Sequence, residues 1–370
     1  MADVLIVGGG IIGLLVAKEL LEQGAKVTLL EQGQPGQEAS WAGGGIVSPL
    51  YPWTYSEPVT ALASWAQAAY PQLVAELNAA TGLDPELNLC GLLMLEPPNQ
   101  AEMEAWARAR GKNLGLWAPE QIQQREPDLA TTFSGGVWWP HIGNVRNPRL
   151  LQSLLLHLQR QPEFELHCQE QVEEFTAQPS GAVSVLTLSG NRFSAAQVAV
   201  CAGAWAGRLL QPLAASIQVQ PVRGQMLVYA PRRKLLNSIV LHNGRYLIPR
   251  LDGRIVAGST LEHTEFHKSS TREARQELVA MATGLVPALA KEAVEAQWAG
   301  LRPGSPHGIP FIGRVPGWDN LFVNAGHYRN GLVLAPASAR LMRDLLLGQE
   351  PIVDPVPYDP LTPRPSADMF

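Results

Sequence analysis

One glycine cluster limits what this chain can fold into more than any other feature. Gly8-Gly9-Gly10-Ile11-Ile12-Gly13 sits between an apolar run from Asp3 to Val7 and an apolar pattern at Leu14, Ala17, Leu20 and Leu21. The order predicts strand, tight turn, helix. Gly24 then stops the helix, and Lys26 to Leu30 forms a second strand closing on Glu31, about 20 residues after Gly10. Each position has a mechanical reason. Gly8 permits the turn, Gly10 lets backbone amides approach a pyrophosphate, and Gly13 lets the helix pack closely on the sheet. The helix N-terminus favours phosphate charge. An acid closing the second strand accepts hydrogen bonds from a ribose hydroxyl and repels a 2′-phosphate, so FAD or NAD is preferred over NADP.

The next segment, Gln37-Glu38-Ala39-Ser40-Trp41-Ala42-Gly43-Gly44-Gly45, is built of small residues where backbone can approach a large flat ligand. That favours a flavin over a nicotinamide, although a flexible glycine loop would read the same. The chain has 370 residues, 46% hydrophobic and 16% charged, which suits two domains or one elaborated domain and lacks a membrane-length apolar run. A formal charge of −5 without blocks of like charge argues against nucleic acid. Cys90, Cys168 and Cys201 are widely spaced and cannot all pair, and the N-terminus lacks signal-peptide character, so a cytoplasmic location is expected.

Further along, helices are predicted over Val59 to Asn78, over Asn99 to Arg110 with Asn99 as cap, and over Arg149 to Leu158 with Asn147-Pro148 at its start. Short strands follow at Glu163 to Cys168, Gln171 to Phe175 and Val183 to Leu188, then Gln197 to Cys201 running into Ala202-Gly203-Ala204. The β-type runs Met226 to Tyr229, Arg245 to Ile248 and Arg254 to Ala257 suggest an antiparallel sheet with a hairpin at Leu251-Asp252-Gly253. The fold class is α/β, α+β overall, and the domains are expected to interleave.

Two later stretches carry a family resemblance: Trp298-Ala299-Gly300-Leu301-Arg302-Pro303-Gly304 and Gly326-His327-Tyr328-Arg329-Asn330-Gly331-Leu332. With Arg223-Gly224-Gln225, Tyr246-Leu247-Ile248-Pro249-Arg250 and the N-terminal glycines, the whole chain resembles the D-amino-acid oxidase superfamily of FAD-dependent amine oxidases. The resemblance implies a Rossmann-like FAD-binding domain (1–85, 145–215 and 303–370) and an interleaved antiparallel-sheet substrate domain (86–144 and 216–302). It implies that Gly8, Gly10, Ile11, Ile12 and Gly13 meet the pyrophosphate, with Glu31 and Gln32 at the ribose. Glu38, Ala39, Ser40, Gly43, Gly44 and Gly45 would lie near the ring, Val172 on the adenine side through its backbone, and Gly203 as a second backbone approach. His327, Tyr328, Arg329, Asn330, Gly331, Leu332 and Val333 would line the flavin, and a helix from about Ala335 would add a positive end there.

The implied substrate is a small amino acid, glycine first, with sarcosine and small D-amino acids behind it, and oxygen as electron acceptor. Arg302 matches the carboxylate anchor, since a planar guanidinium suits a carboxylate. Without the family it could as well be a salt-bridge partner. Tyr246 and Arg329 match residues beside the substrate, although Tyr246 alone could be core packing. The implied reaction is hydride transfer from the α-carbon to flavin N5, giving an imine that water hydrolyses, with hydrogen peroxide from reoxidation. No protein acid or base is assigned a catalytic role. FAD is expected to be noncovalent, because the covalent relatives attach it to a cysteine in the C-terminal third and the last cysteine here is Cys201. A sarcosine oxidase, a D-amino-acid dehydrogenase or a non-catalytic flavin binder are the alternatives. Bulky Trp41 departs from the smaller residue of a relative in the flavin-proximal segment, which leaves access and the preference among glycine, sarcosine and D-alanine open. His263 and His267 could share a helical face around Glu265, but HTEFH is not HExxH, so no metal is expected. The resemblance further suggests a homotetramer, and no stable membrane association is expected.

Overall fold

A computed structural model describes residues 2–214 and 216–364 of the chain. Met1, Ala215 and residues 365–370, which the expected FAD-binding segments include, lie outside the described residues. The glycine cluster forms the turn that its sequence predicts. Strand Ala2–Val7 runs into it, helix Ile11–Leu21 follows, and strand Val27–Glu31 returns parallel, with Val4 opposite Val27 and Val7 opposite Leu30. Every residue from Ile11 to Leu20 is buried, because helices Asn147–Gln159 and Gly331–Leu347 pack on the faces turned from the sheet. Each aliphatic side chain so buried contributes about 1.5–3 kcal/mol. The two charges on this helix are paired: Lys18 with Glu22 (2.5 Å) and Glu76 (3.3 Å), Glu19 with Arg340 (2.6 Å) and Arg343 (3.3 Å). Buried charge is tolerated only in such company.

Around this unit a sheet of eight strands is assembled from separated stretches of chain. Its main path runs Phe311–Arg314, Leu321–Ala325, Arg192–Val200, Ala2–Val7, Val27–Glu31, Phe164–Cys168, with the hairpin Val172–Ala177 and Val183–Thr187 attached through Arg192–Val200. A second eight-stranded sheet has the order Val294–Gly304, Gln220–Tyr229, Ile255–Gly258, Arg245–Pro249, Ile239–His242, Leu92–Leu95, Gly136–Trp139, Gly115–Trp117. It is antiparallel except where Ile239–His242 runs parallel to Leu92–Leu95.

Three local expectations are corrected, and a fourth, Asn99 as cap, holds in position but without the cap bond. Asn147 is the first residue of helix Asn147–Gln159, not its cap, and its side chain donates instead to the Ser40 carbonyl (2.8 Å). Asn99 precedes helix Gln100–Ala109 but makes no side-chain cap bond. Its left-handed backbone (φ 55°) leaves its amide bonding Glu102 (3.1 Å). The last helix begins at Gly331, not near Ala335, and carries Pro336 inside it. Pro336 has no N–H for the Leu332 carbonyl one turn back, and the hydroxyl of buried Tyr70 donates to that carbonyl instead. His263 and His267 lie in the loop between strand Ile255–Gly258 and helix Arg272–Leu285, so they share no helical face.

Candidate active site

A cleft of about 1150 Å³, open solvent included, lies between the two sheets at the carboxyl ends of the parallel strands. Ligands of open α/β sheets bind at such an edge. Gly10, Ile11 and Ile12 line it, as do Ala39, Ser40 and Gly43 to Gly45. Gly203 and all of His327 to Val333 line it too, with Tyr246 and Arg302 at the second sheet. Six expected contacts do not line it: Gly8, Gly13, Glu31, Gln32, Glu38 and Val172.

Gly8 and Gly13 instead shape the turn. Gly8 has φ +109°, and a Cβ on Gly13 would stand 2.0 Å from the Gly8 carbonyl oxygen. Glu31 braces the turn from below, accepting from the Gly9 amide (2.7 Å) and the Gly33 amide (2.8 Å). Burial pushes its carboxyl above the usual range, against the pull of those two amides. Gln32 is half-buried, and Val172 opens strand Val172–Ala177 in register with Thr187. Glu38 pairs with Lys268 (2.7 Å), while its other carboxylate oxygen is buried without a partner.

The small-residue segment is pinned from three sides. Ser40 Oγ accepts from the Ile11 amide (2.9 Å), tying the segment to the helix start. Arg250 donates to the Gly44 carbonyl (3.0 Å), the Val145 carbonyl (2.7 Å) and Asn144 Oδ1 (2.8 Å). Burial pushes its guanidinium down to about 10. A Cβ on Gly44 would meet Ile248 at 2.7 Å and the Tyr246 ring at 3.0 Å, so this backbone lies directly on the residue expected beside the substrate. Trp41 does not line the cleft; it packs edge-on against Trp298 at 5.6 Å.

On the opposite wall His327 Nε2 bonds Ser338 Oγ (2.6 Å), which donates to Asn324 Oδ1 (2.9 Å). Because Ser338 spends its one proton on Asn324, His327 is the donor and holds the Nε2–H tautomer. Burial pushes the imidazole down to about 3, so it is neutral. Helix Gly331–Leu347 points its N-terminus into the cleft with no acid in its first turn, and buried Asn330 Nδ2 beside it has no partner. A side-chain-free turn, two helix N-termini without acids and an unspent buried donor fit a phosphate-bearing cofactor with a flat ring.

The other end of the cleft is cationic. Arg302, near the end of edge strand Val294–Gly304, is half-buried and donates to the neutral oxygens Ser259 Oγ (2.7 Å) and the Thr260 carbonyl (3.2 Å). Burial pushes its guanidinium down, as does Arg329, while Tyr246 and Tyr328 favour its charge. No carboxylate pairs with Arg302 among the described residues. Gly224 makes the room: a Cβ there would stand 2.2 Å from both terminal nitrogens. The Tyr246 hydroxyl reaches Met226 Sδ at 3.5 Å. Arg329 donates to the Gly244 carbonyl (3.1 Å), whose amide donates to the Tyr51 hydroxyl (3.2 Å). A half-buried cation with no anionic partner favours an incoming anion.

Several cleft residues escaped the sequence reading, among them Met226, Ser259 and Asn324. A signal existed for Asn324, the one polar residue of the fully buried strand Leu321–Ala325. Ser259 opens a pair of small polar residues just past an apolar strand end.

The chain is similar to known proteins over almost its whole length. The family described as DAO, FAD dependent oxidoreductase, matches residues 3–345. A glycine oxidase of Pseudomonas aeruginosa is 51% identical over 357 residues, 96% of this chain and 98% of that protein. The bifunctional protein ThiO/ThiG of Synechocystis is 34% identical over 94% of this chain, which matches 52% of that longer protein. The crystal structure of glycine oxidase from Geobacillus kaustophilus superposes with TM-score 0.90 at 31% identity, covering 97% of this chain and 98% of that one.

Proposed function

The chain belongs to the FAD dependent oxidoreductase family, and from that premise we propose that it oxidises glycine, with sarcosine and small D-amino acids as further substrates. The products are the imine, hydrolysed to glyoxylate and ammonia, and hydrogen peroxide. FAD, bound noncovalently, supplies the two-electron acceptor and the route to oxygen. The single observation carrying this reading is the half-buried, carboxylate-free Arg302 at the ring end of the cleft.

Arg302 takes the substrate carboxylate, the partner its charge lacks, in paired charge-assisted bonds. Tyr246 adds its hydroxyl to the same carboxylate, and Arg329 keeps the mouth of the site cationic. With the carboxylate held, the α-carbon of a small amino acid is turned toward the wall formed by Gly43 to Gly45 and His327 to Val333, and orientation alone can supply several powers of ten. Glu31 and Gln32 serve the ribose, Gly8 to Gly13 the pyrophosphate, and Val172 the adenine side. Neutral His327 offers the ring polarity without charge.

The FAD-binding unit comprises 1–85, 145–215 and 303–370, and the substrate unit 86–144 and 216–302. The strands of each sheet fall in the matching segments, except that Val294–Gly304 overruns its segment by its last two residues. The likeness to a ThiO/ThiG protein supports a role in making the thiazole of thiamine. A homotetramer in the cytoplasm completes the reading. No described helix is long and apolar enough to cross a membrane.

The test is peroxide release under air with glycine, sarcosine, D-alanine and D-proline supplied in turn. Glycine is expected to give the highest kcat/KM with stoichiometric peroxide. Bleaching of the flavin by glycine without peroxide would point to a dehydrogenase instead.

A further inference from the structure

The strand Ile255–Gly258 ends where the chain turns into the cleft, and the next two residues, Ser259 and Thr260, are both buried. Ser259 lines the cleft, and its Oγ accepts the shorter of the two hydrogen bonds that Arg302 makes there, 2.7 Å against 3.2 Å to the Thr260 carbonyl. Thr260 is itself fixed. Its hydroxyl accepts from the Gln225 amide (2.9 Å) and donates to Glu262 Oε1 (2.5 Å), and Glu262 is held by Arg223 (2.5 Å) and Gln225 (2.9 Å). The guanidinium thus lies on bare backbone at Gly224 and is gripped along one edge by two oxygens on a rigid support.

The chemistry of those oxygens matters. A carboxylate at position 259 would neutralise Arg302 and compete with any incoming anion. A hydroxyl orients the fork and leaves its charge unspent. A long side chain without such a grip would lose rotamer freedom on binding, at a cost in affinity.

We infer that Ser259 is a positioning residue for the substrate carboxylate, setting the orientation in which Arg302 meets it. This rests on the reading that Arg302 is the carboxylate anchor. Ser259 enters through binding rather than through the electron transfer, so its loss falls on KM. Removing one hydrogen bond to a charged group corresponds to about a tenfold weaker carboxylate interaction.

The experiment uses the FAD-loaded enzyme and the variants Ser259→Ala, Ser259→Thr and Arg302→Leu. Glycine kinetics and FAD affinity are measured, and binding of acetate, a bare carboxylate, is followed by the flavin absorbance. Ser259→Ala is expected to raise the glycine KM and weaken acetate about tenfold, with kcat within about twofold and FAD affinity unchanged, while Ser259→Thr, which keeps the hydroxyl, restores both. Thermal midpoints report whether each variant is folded. Glycine KM and acetate affinity unchanged in Ser259→Ala but lost in Arg302→Leu would overturn the role of Ser259 alone. Both variants unchanged would overturn the anchor reading and this inference with it. Parallel losses in kcat, FAD affinity and thermal midpoint would mark Ser259 as merely structural and overturn it as well.

Discussion

The two ends of the cleft are built on opposite principles. The glycine turn at Gly8 to Gly13 works by what is missing: no Cβ fits at Gly13, and the helix behind it contributes backbone amides rather than side chains. The Arg302 end works by what is present, a half-buried charge on an edge strand with hydroxyl and carbonyl partners. The first is a steric requirement inseparable from folding. The second is an electrostatic one, separable from it. A change at the turn is therefore expected to cost the cofactor and the fold together, and a change at the guanidinium to cost the substrate alone.

That contrast can be broken in several ways. The largest effect belongs to Gly13→Val, whose Cβ would stand 2.0 Å from the Gly8 carbonyl oxygen. Backbone must move, at about 3 kcal/mol or more, and the purified protein is expected to be colourless with a lowered thermal midpoint. Yellow, fully loaded protein would show that the turn is not the cofactor's cradle. Next comes Gly224→Ala, whose added methyl displaces the guanidinium rather than backbone. It is expected to raise the glycine KM by about ten- to a hundredfold, equivalent to roughly 1.4–2.8 kcal/mol, with FAD retained. Loss of FAD from this variant would join the two ends into one unit.

The effect smallest at neutral pH is a pH dependence at His327. Its folded pKa, about 3, lies below the ordinary 6.5, so the unfolded chain takes up the proton first. The stability it contributes is complete above about pH 6.5 and drains away as pH falls toward 3. The thermal midpoint of the wild type is expected to fall more steeply from pH 7 to pH 4 than that of His327→Gln, and the same difference should persist beside Arg302→Leu. Superimposable pH curves would remove His327 from the account.

The same contrast explains what could be read from the sequence. The turn was legible because a steric requirement leaves a residue type with few substitutes, glycine, at fixed spacing beside periodic apolar runs. Arg302 alone was not, since an arginine before Pro303 reads equally as a surface ion pair. Only the family stretch around it, and then its place in the cleft without a carboxylate partner, set it apart. Asn147 and Pro336 show the limits of local rules. Asn147-Pro148 looks like a cap and first turn, yet the asparagine side chain is drawn away by the Ser40 carbonyl. The helix expected from about Ala335 begins four residues earlier at Gly331, and Tyr70, far away in sequence, satisfies the carbonyl that Pro336 leaves open. Ser259 and Arg250 were illegible as site residues for a similar reason: their partners come from other strands and loops, and nothing near them in sequence announces the contact.

The most direct test of the central claim compares glycine turnover by wild type and Arg302→Leu, both loaded with FAD and monitored by the flavin spectrum. Equal flavin content is expected, with a glycine KM raised by about a hundredfold or more in the variant, the loss of a charge-assisted pair to the substrate carboxylate. An unchanged glycine KM in Arg302→Leu would contradict it.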